Sequence, residues 1–192
     1  MKSPTNKKII LASNSPRRRQ LLKEIIPEFS IAQSRDIDEN YPSDMPVMEV
    51  APYLSKVKAE CYSDLVEKDT ILITADTVVI LDGRILGKPH SISEAVEMLK
   101  EMRGKEHLVV TGVTLKSEEK TETFASVTKV CFDQLSDDEI FAYVEEFKPF
   151  DKAGAYGIQE WIGCRAINGI QGCFYNVMGL PLNLLYSHLL LF

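Results

Sequence analysis

The chain has 192 residues, 45% of them hydrophobic, and a formal net charge of -6 at pH 7. That is enough for one substantial core, in one domain or two small lobes, and the acidic balance excludes a duplex-binding surface, which needs a basic face. The four cysteines, Cys61, Cys131, Cys164 and Cys173, form no CxxC pair and no zinc spacing, so they are expected as reduced, small core residues.

At the N-terminus MKSPTNKKIILAS lacks the long apolar segment of a signal peptide. Ile9 to Ala12 predicts a short buried strand, and Ser13-Asn14-Ser15-Pro16 a polar turn. Ser15 is a natural N-cap with Pro16 at the first helical position, so a helix is expected to follow through Leu22. A strand, a polar turn and a helix N-terminus together favour an anion such as phosphate. Arg17, Arg18 and Arg19 oppose the helix dipole there, so helix stability does not explain them, whereas their planar forks suit phosphate oxygens. Arg17 and Arg18 are the two expected to face a ligand.

Phe29 to Gln33 reads as a second strand, followed by the polar loop Ser34 to Asp44 with Asp36, Asp38 and Glu39. Acids at that spacing either present hard oxygen ligands to Mg²⁺ or Mn²⁺ or form a solvated acidic loop. Met48 to Val66 predicts a helix with an apolar face of Val50, Tyr53, Leu54, Val57, Cys61 and Leu65. Lys56 and Lys58 project elsewhere.

The stretch Ile71 to Pro89 is the centre of the chain. Ile71, Leu72, Ile73, Val78, Val79, Ile80 and Leu81 are β-branched or apolar enough for a strand covered on both faces. Asp76 interrupts that run, and an ionised carboxylate is costly to bury unless paired, hydrogen-bonded or bound to metal. It points to a site at a local break in the sheet, or to an Asp bonding backbone amides at a bulge. Asp82-Gly83 predicts a tight turn into a short return strand that ends at Gly87-Lys88-Pro89.

Ser91 or Ser93 caps a helix with Ala95, Met98, Leu99 and Met102 at helical spacing, ended by Gly104. His107 to Leu115 and Thr121 to Phe132 are two long strands joined by a hairpin around Ser117 to Lys120. Ser136-Asp137-Asp138-Glu139 is a capping box for a helix to about Phe147, stopped by Pro149. Asp151 to Gln159 reads as a polar, glycine-rich corner too small-chained for core, with Gln159 offering amide donors and an acceptor. Gly163 to Ile170 reads as another strand, and Leu182 to Leu191 as a closing amphipathic helix. The apolar tail from Leu180 to Phe192 is broken by Pro181, Asn183 and His188 and is too short to span a bilayer.

Near-miss motifs narrow the chemistry. Gly83-Arg84-Ile85-Leu86-Gly87-Lys88-Pro89 is not a P-loop, because Pro89 stands where the magnesium-binding hydroxyl belongs. No GxSxG elbow or HExxH pair occurs, and Ala75-Asp76-Thr77-Val78 lacks the paired acids of aspartyl-phosphate phosphatases. A phosphate-friendly turn, an isolated acid, an acidic loop and scattered Lys, Arg and Gln suit attack of water on a phosphoanhydride.

In order along the chain, LASNSPRRRQLL, DIDE, Lys58-Ala59, ADTVV, LGKP, the run Arg103 to Val113, DKAGAYGIQ and NVMGLP resemble the Maf family of nucleoside triphosphate pyrophosphatases, from about Ile9 to Leu185. The resemblance implies a single α/β domain over 1–192 with a central mixed β-sheet flanked by helices, in two lobes with a cleft between them. It implies a divalent-metal-dependent cleavage of a nucleoside triphosphate to monophosphate and pyrophosphate. By position, Asp76 corresponds to the proton acceptor for the attacking water. Ser15, Arg18, Lys58 and Lys88 correspond to phosphate-binding residues, and Glu39 to a metal-binding acid. Arg17, Thr77 and Gln159 resemble the substrate-selecting set of the dTTP/UTP branch. Glu160-Trp161-Ile162-Gly163 departs from the smaller link of many relatives, which bears on base preference. The expected partner is a small nucleoside triphosphate and not a nucleic acid polymer or a membrane, in a cytoplasmic protein with a homodimer as the family's suggestion. Two other readings stay open: a nucleotide-binding regulator of septum formation without turnover, and a pyrophosphatase for 7-methyl-GTP or other purine triphosphates.

Overall fold

In the computed structural model, which describes residues 3–192, strand β1 (Lys8–Leu11) leads into helix α1 (Pro16–Lys23) through the expected capped turn. Strand β2 (Ser30–Ile31) lies parallel to β1, and β1 lies parallel to β3 (Thr70–Leu81) with Leu11 opposite Ile73. Strand β4 (Arg84–Leu86) returns antiparallel on β3 through Asp82 and Gly83, whose φ values of 49° and 76° make a type I′ turn. Strands β5 (Glu106–Lys116), β6 (Thr121–Phe132) and β7 (Ile167–Gln171) complete a mixed sheet of order β2-β1-β3-β5-β6-β7, with β4 on β3. The helices are α2 (Val50–Cys61), α3 (Ile92–Met102), α4 (Asp137–Phe147), α5 (Trp161–Ala166), α6 (Phe174–Val177) and α7 (Leu182–Leu191). None of the described helices is long and apolar enough to cross a membrane.

The chain forms two compact units, and β3, β5 and β6 each run through both. The first comprises the chain up to Thr77, Thr111–Ser126 and Gly179–Phe192. There Ala12, Ala59, Tyr62 and Leu72 make one apolar cluster, and α2 lies close on the sheet. Gly112 permits that approach, because a Cβ there would sit 2.4 Å from the Ala51 carbonyl. The second comprises Val78–Val110 and Val127–Met178 and packs Leu99, Met102, Phe132, Ile140, Tyr143 and Tyr156 into its core. The capping box of α4 forms as read, with Ser136 and Glu139 bonding each other's backbone N–H.

Several sequence expectations are corrected. Strand β3 runs continuously through Asp76, which lies between the pairing with β1, ending at Ile73, and the pairing with β4, beginning at Val79, and whose buried acid is paired with a lysine. Strand β2 is only two residues long. The helix expected over 48–66 is α2 flanked by 3-10 turns at Val47–Glu49 and Ser63–Leu65. Its buried side is Val50, Ala51, Leu54, Ser55 and Ala59, with Tyr53 and Cys61 exposed, since close approach to a sheet selects small side chains over bulky ones. The corner Asp151 to Gln159 is core after all: Ala155, Tyr156 and Ile158 are buried and only its ends are exposed. Trp161–Ala166 is helical, so the last strand begins at Ile167 and not at Gly163. No cysteine lies in the core; Cys61 and Cys164 are exposed, and Cys131 and Cys173 are half-buried.

Candidate active site

Strand β1 ends beside β3, with the Ala12 N–H donating to the Ile73 carbonyl at 2.9 Å, so the N-terminus of α1 opens at the edge where β3 carries Asp76. The Ser15 hydroxyl caps α1 by accepting the Arg18 N–H, and no acid occupies the first turn. Positive dipole and basic side chains therefore coincide there, an arrangement that favours an anion.

Helix α2 is registered on β3 by hydroxyls. Thr74 Oγ1 donates to the Ser55 carbonyl at 2.6 Å, and the Ser55 hydroxyl meets Thr114 Oγ1 at 2.9 Å. Two residues along the strand from Thr74, on the same face, comes Asp76; three residues along the helix from Ser55, again on the same face, comes Lys58. The periods of the two elements thus bring them together: Lys58 Nζ is 2.5 Å from Asp76 Oδ1. The same ammonium is 2.9 Å from Glu39 Oε1, so it bridges two carboxylates. Asp76 and Lys58 are nearly buried, with side-chain exposures of 12% and 13%, whereas Glu39 is half-exposed on its loop.

Arg18 is held from three directions. Its Nε donates to the Gly179 carbonyl at 2.7 Å, Nη1 to the Ala75 carbonyl at 2.8 Å, and Nη2 to Thr77 Oγ1 at 2.9 Å. These bonds use three of the five guanidinium N–H donors. Burial lowers its pKa from the ordinary value, against the raising effect of Asp76, and the neighbouring Arg17 lowers it further. The Thr77 hydroxyl also meets the buried Thr111 hydroxyl at 2.9 Å. Arg19 turns back on the Ser13 carbonyl.

Of the residues singled out in the sequence, Ser15, Arg17, Arg18, Glu39, Lys58, Asp76 and Thr77 all belong to the first unit. Lys88 and Gln159 are exposed residues of the second. Two contributors carry no chemical signal in the sequence. Thr111 and the Gly179 carbonyl hold Thr77 and Arg18, and both lie inside quoted motif runs without any residue type that signals a site. Beside Gln159, Glu160 accepts from the Tyr143 hydroxyl at 2.5 Å and pairs with Lys152 at 3.2 Å. Trp161, flagged as a departure, stacks on the Tyr143 ring at 6.5 Å.

Fold and site together define a class: an α/β protein with a mixed sheet, whose central strand carries an acid that a helix lysine bridges to a second acid on a loop. The chain belongs to the Maf family, whose model, described as "Maf-like protein", matches residues 8–192. It is 48% identical over 181 residues to a protein of Bacteroides thetaiotaomicron named dTTP/UTP pyrophosphatase, covering 94% of each chain. It is 49% identical over 184 residues to a Porphyromonas gingivalis protein of the same name, covering 95% of this chain and 92% of the relative. Among solved structures, the Staphylococcus aureus Ham1 protein is similar with a TM-score of 0.56 over 95% of this chain and 98% of that one, at 19% identity, a likeness of fold.

Proposed function

We propose that this protein is a nucleoside triphosphate pyrophosphatase that hydrolyses dTTP, UTP and modified pyrimidine triphosphates to the monophosphate and pyrophosphate. The observation that carries the reading is the nearly buried Asp76 carboxylate held by Lys58 beside the Ser15-capped helix N-terminus. The name shared by relatives at 48% and 49% identity supports the reaction and the substrate pair.

In this reading Asp76 takes the proton of the water that attacks the anhydride between the α- and β-phosphates. The water oxygen bonds to phosphorus, the anhydride bond breaks, and the proton passes on as the products leave. Lys58, Arg18 and Lys88 offset the negative charge of the phosphates, which is the larger part of the work in phosphoryl chemistry, and the Ser15 turn contacts them. Lys58 also keeps the Asp76 carboxylate oriented. Arg17, Thr77 and Gln159 select the nucleotide, and the Gln159 amide has the donor and acceptor that a uracil or thymine edge requires.

A divalent cation, Mg²⁺ or Mn²⁺, fits the donor set. Glu39 and Asp76 already converge on one positive centre, and such ions take few protein carboxylates and complete their shell with water and substrate phosphates. Glu39 and Asp76 would hold the ion, with water and substrate oxygens completing its shell. When bound, the ion neutralises phosphate charge and polarises the reacting water. The compartment we propose is the cytoplasm, where these triphosphates are made and used.

The test is pyrophosphate release from a panel of triphosphates with Mg²⁺ or Mn²⁺ and then with EDTA. Metal-dependent release led by dTTP and UTP is expected. A lead by 7-methyl-GTP or a purine would remove the substrate assignment and leave the chemistry. No release from any member would favour a nucleotide-binding regulator.

A further inference from the structure

The turn that carries Gln159 is closed on itself by side chains from outside it. Within the turn, the Glu160 N–H donates to the Gly157 carbonyl at 3.0 Å. From α4, the Tyr143 hydroxyl donates to Glu160 Oε2 at 2.5 Å and accepts the Gly157 N–H at 3.1 Å. A hydrogen-bonded ring therefore runs from Gly157 through Ile158, Gln159 and Glu160 to the Tyr143 oxygen and back. The polar groups that close it are largely covered: Tyr143 is 2% exposed, the neighbouring Lys152 8%, and the Glu160 side chain 17%. Lys152 Nζ, which also pairs with Asp151 at 2.9 Å, lies 3.2 Å from Glu160 Oε1, so the second carboxylate oxygen is satisfied too. Burial, with the Glu160 carboxylate adding to it, pushes the Tyr143 phenol up from its ordinary value, which keeps it a donor. Phe147 and Trp161 stack on the Tyr143 ring at 5.0 and 6.5 Å. Within this arrangement Gln159 itself is exposed.

We infer that Tyr143 and Glu160 are positioning residues for nucleotide selection, holding the turn so that the exposed Gln159 amide is presented in one orientation. The inference rests on the reading of Gln159 as a base-selecting residue. An exposed amide on a loose turn loses backbone and side-chain freedom on binding, and a ring closed beforehand reduces that loss. A buried phenol and a half-buried carboxylate close this turn, and neither has a part in the reaction proposed above. Tyr143 and Glu160 act through Gln159 and are not themselves catalytic.

The experiment compares wild type, Tyr143→Phe, Gln159→Ala and the double variant on dTTP, on dGTP and on abasic deoxyribose 5′-triphosphate, with thermal melting as a check of folding. Tyr143→Phe keeps the ring stacked and removes only the oxygen that closes the turn. It is expected to raise KM for dTTP by about tenfold, the worth of one net hydrogen bond. Its kcat should stay within about twofold of wild type, and the abasic substrate should be unaffected, because the chemistry does not use this group. In the Gln159→Ala background the same change should add nothing, as expected for residues acting through one another. Glu160→Gln, nearly isosteric, should move dTTP preference in the same direction and serves if Tyr143→Phe does not fold. Equal losses on all three substrates, or effects that add fully, would overturn the inference and leave a structural role. If Gln159→Ala itself leaves dTTP preference intact, the base-selecting role of Gln159 fails, and the inference falls with it for that separate reason.

Discussion

The Lys58 ammonium lies 2.5 Å from the Asp76 carboxylate, a pairing of helix α2 with strand β3 registered by the hydrogen bond from Thr74 to the Ser55 carbonyl. An acid inside a buried strand is thereby made compatible with the fold, and the same contact fixes its orientation. Asp76→Asn keeps the size and a hydrogen-bond acceptor for Lys58 but cannot take a proton. Turnover should fall by about 100-fold or more, the usual worth of a general base. Equilibrium binding of the nucleotide, measured by calorimetry, should survive. Turnover near the wild-type level would remove Asp76 from the role of base.

Arg18 ties three separate segments through a fork that a lysine cannot reproduce. Arg18→Lys keeps the charge and loses at least two of the three bonds. Thermal or denaturant melts should show destabilisation of about 2 kcal/mol. Activity should fall as well, because Thr77 and the backbone on either side of Asp76 lose their anchor. An unchanged melt would mean that the fork is not what holds these segments.

Close contact at Gly112 sets the height of α2 over the sheet, and hence the reach of Lys58. In Gly112→Ala the added methyl would meet the Ala51 carbonyl and the Pro52 nitrogen at 2.4 and 2.3 Å, backbone that cannot move aside cheaply. A loss on the order of 3 kcal/mol is expected from overpacking of this kind. Urea unfolding with an unchanged slope would report it cleanly. A fully stable variant with normal activity would show that α2 tolerates displacement.

His107 is the buried group whose titration should mark acid sensitivity. It is 2% exposed, its Nε2 meets Tyr156 Oη at 2.8 Å, and its Nδ1 has no hydrogen-bond partner among the described residues. Burial pushes its pKa down from 6.5 to about 4. The unfolded chain therefore binds a proton that the folded one refuses between those two values. The stability this residue confers is fully present above about pH 6.5 and is lost as pH falls towards 4, by about 3 kcal/mol in all. Melting temperatures of wild type and His107→Gln across that range should converge as pH falls. Parallel curves would show that His107 is not the titrating group.

What the sequence by itself determined was largely local. The Ser15 cap with Pro16, the Ser136 to Glu139 capping box and the Asp82-Gly83 turn were legible because each is made by residues within a few positions of one another. The order of motifs from LASNSPRRRQLL to NVMGLP was legible too, and with it the family. Tertiary structure alone decided the rest. The fork of Arg18 closes on a carbonyl 161 residues away, a contact with no local signature. Periodicity placed the bulky residues of α2 inside, yet sheet and helix meet where Gly112 and Ala51 are small, so packing distance overrode hydrophobic pattern. The corner ending at Gln159 read as polar and open, but Tyr156 and Ile158 are carried inward and the charges of Lys152 and Glu160 satisfy each other there. Residue type indicates which groups are costly to bury; only the packed chain decides which partner makes their burial tolerable.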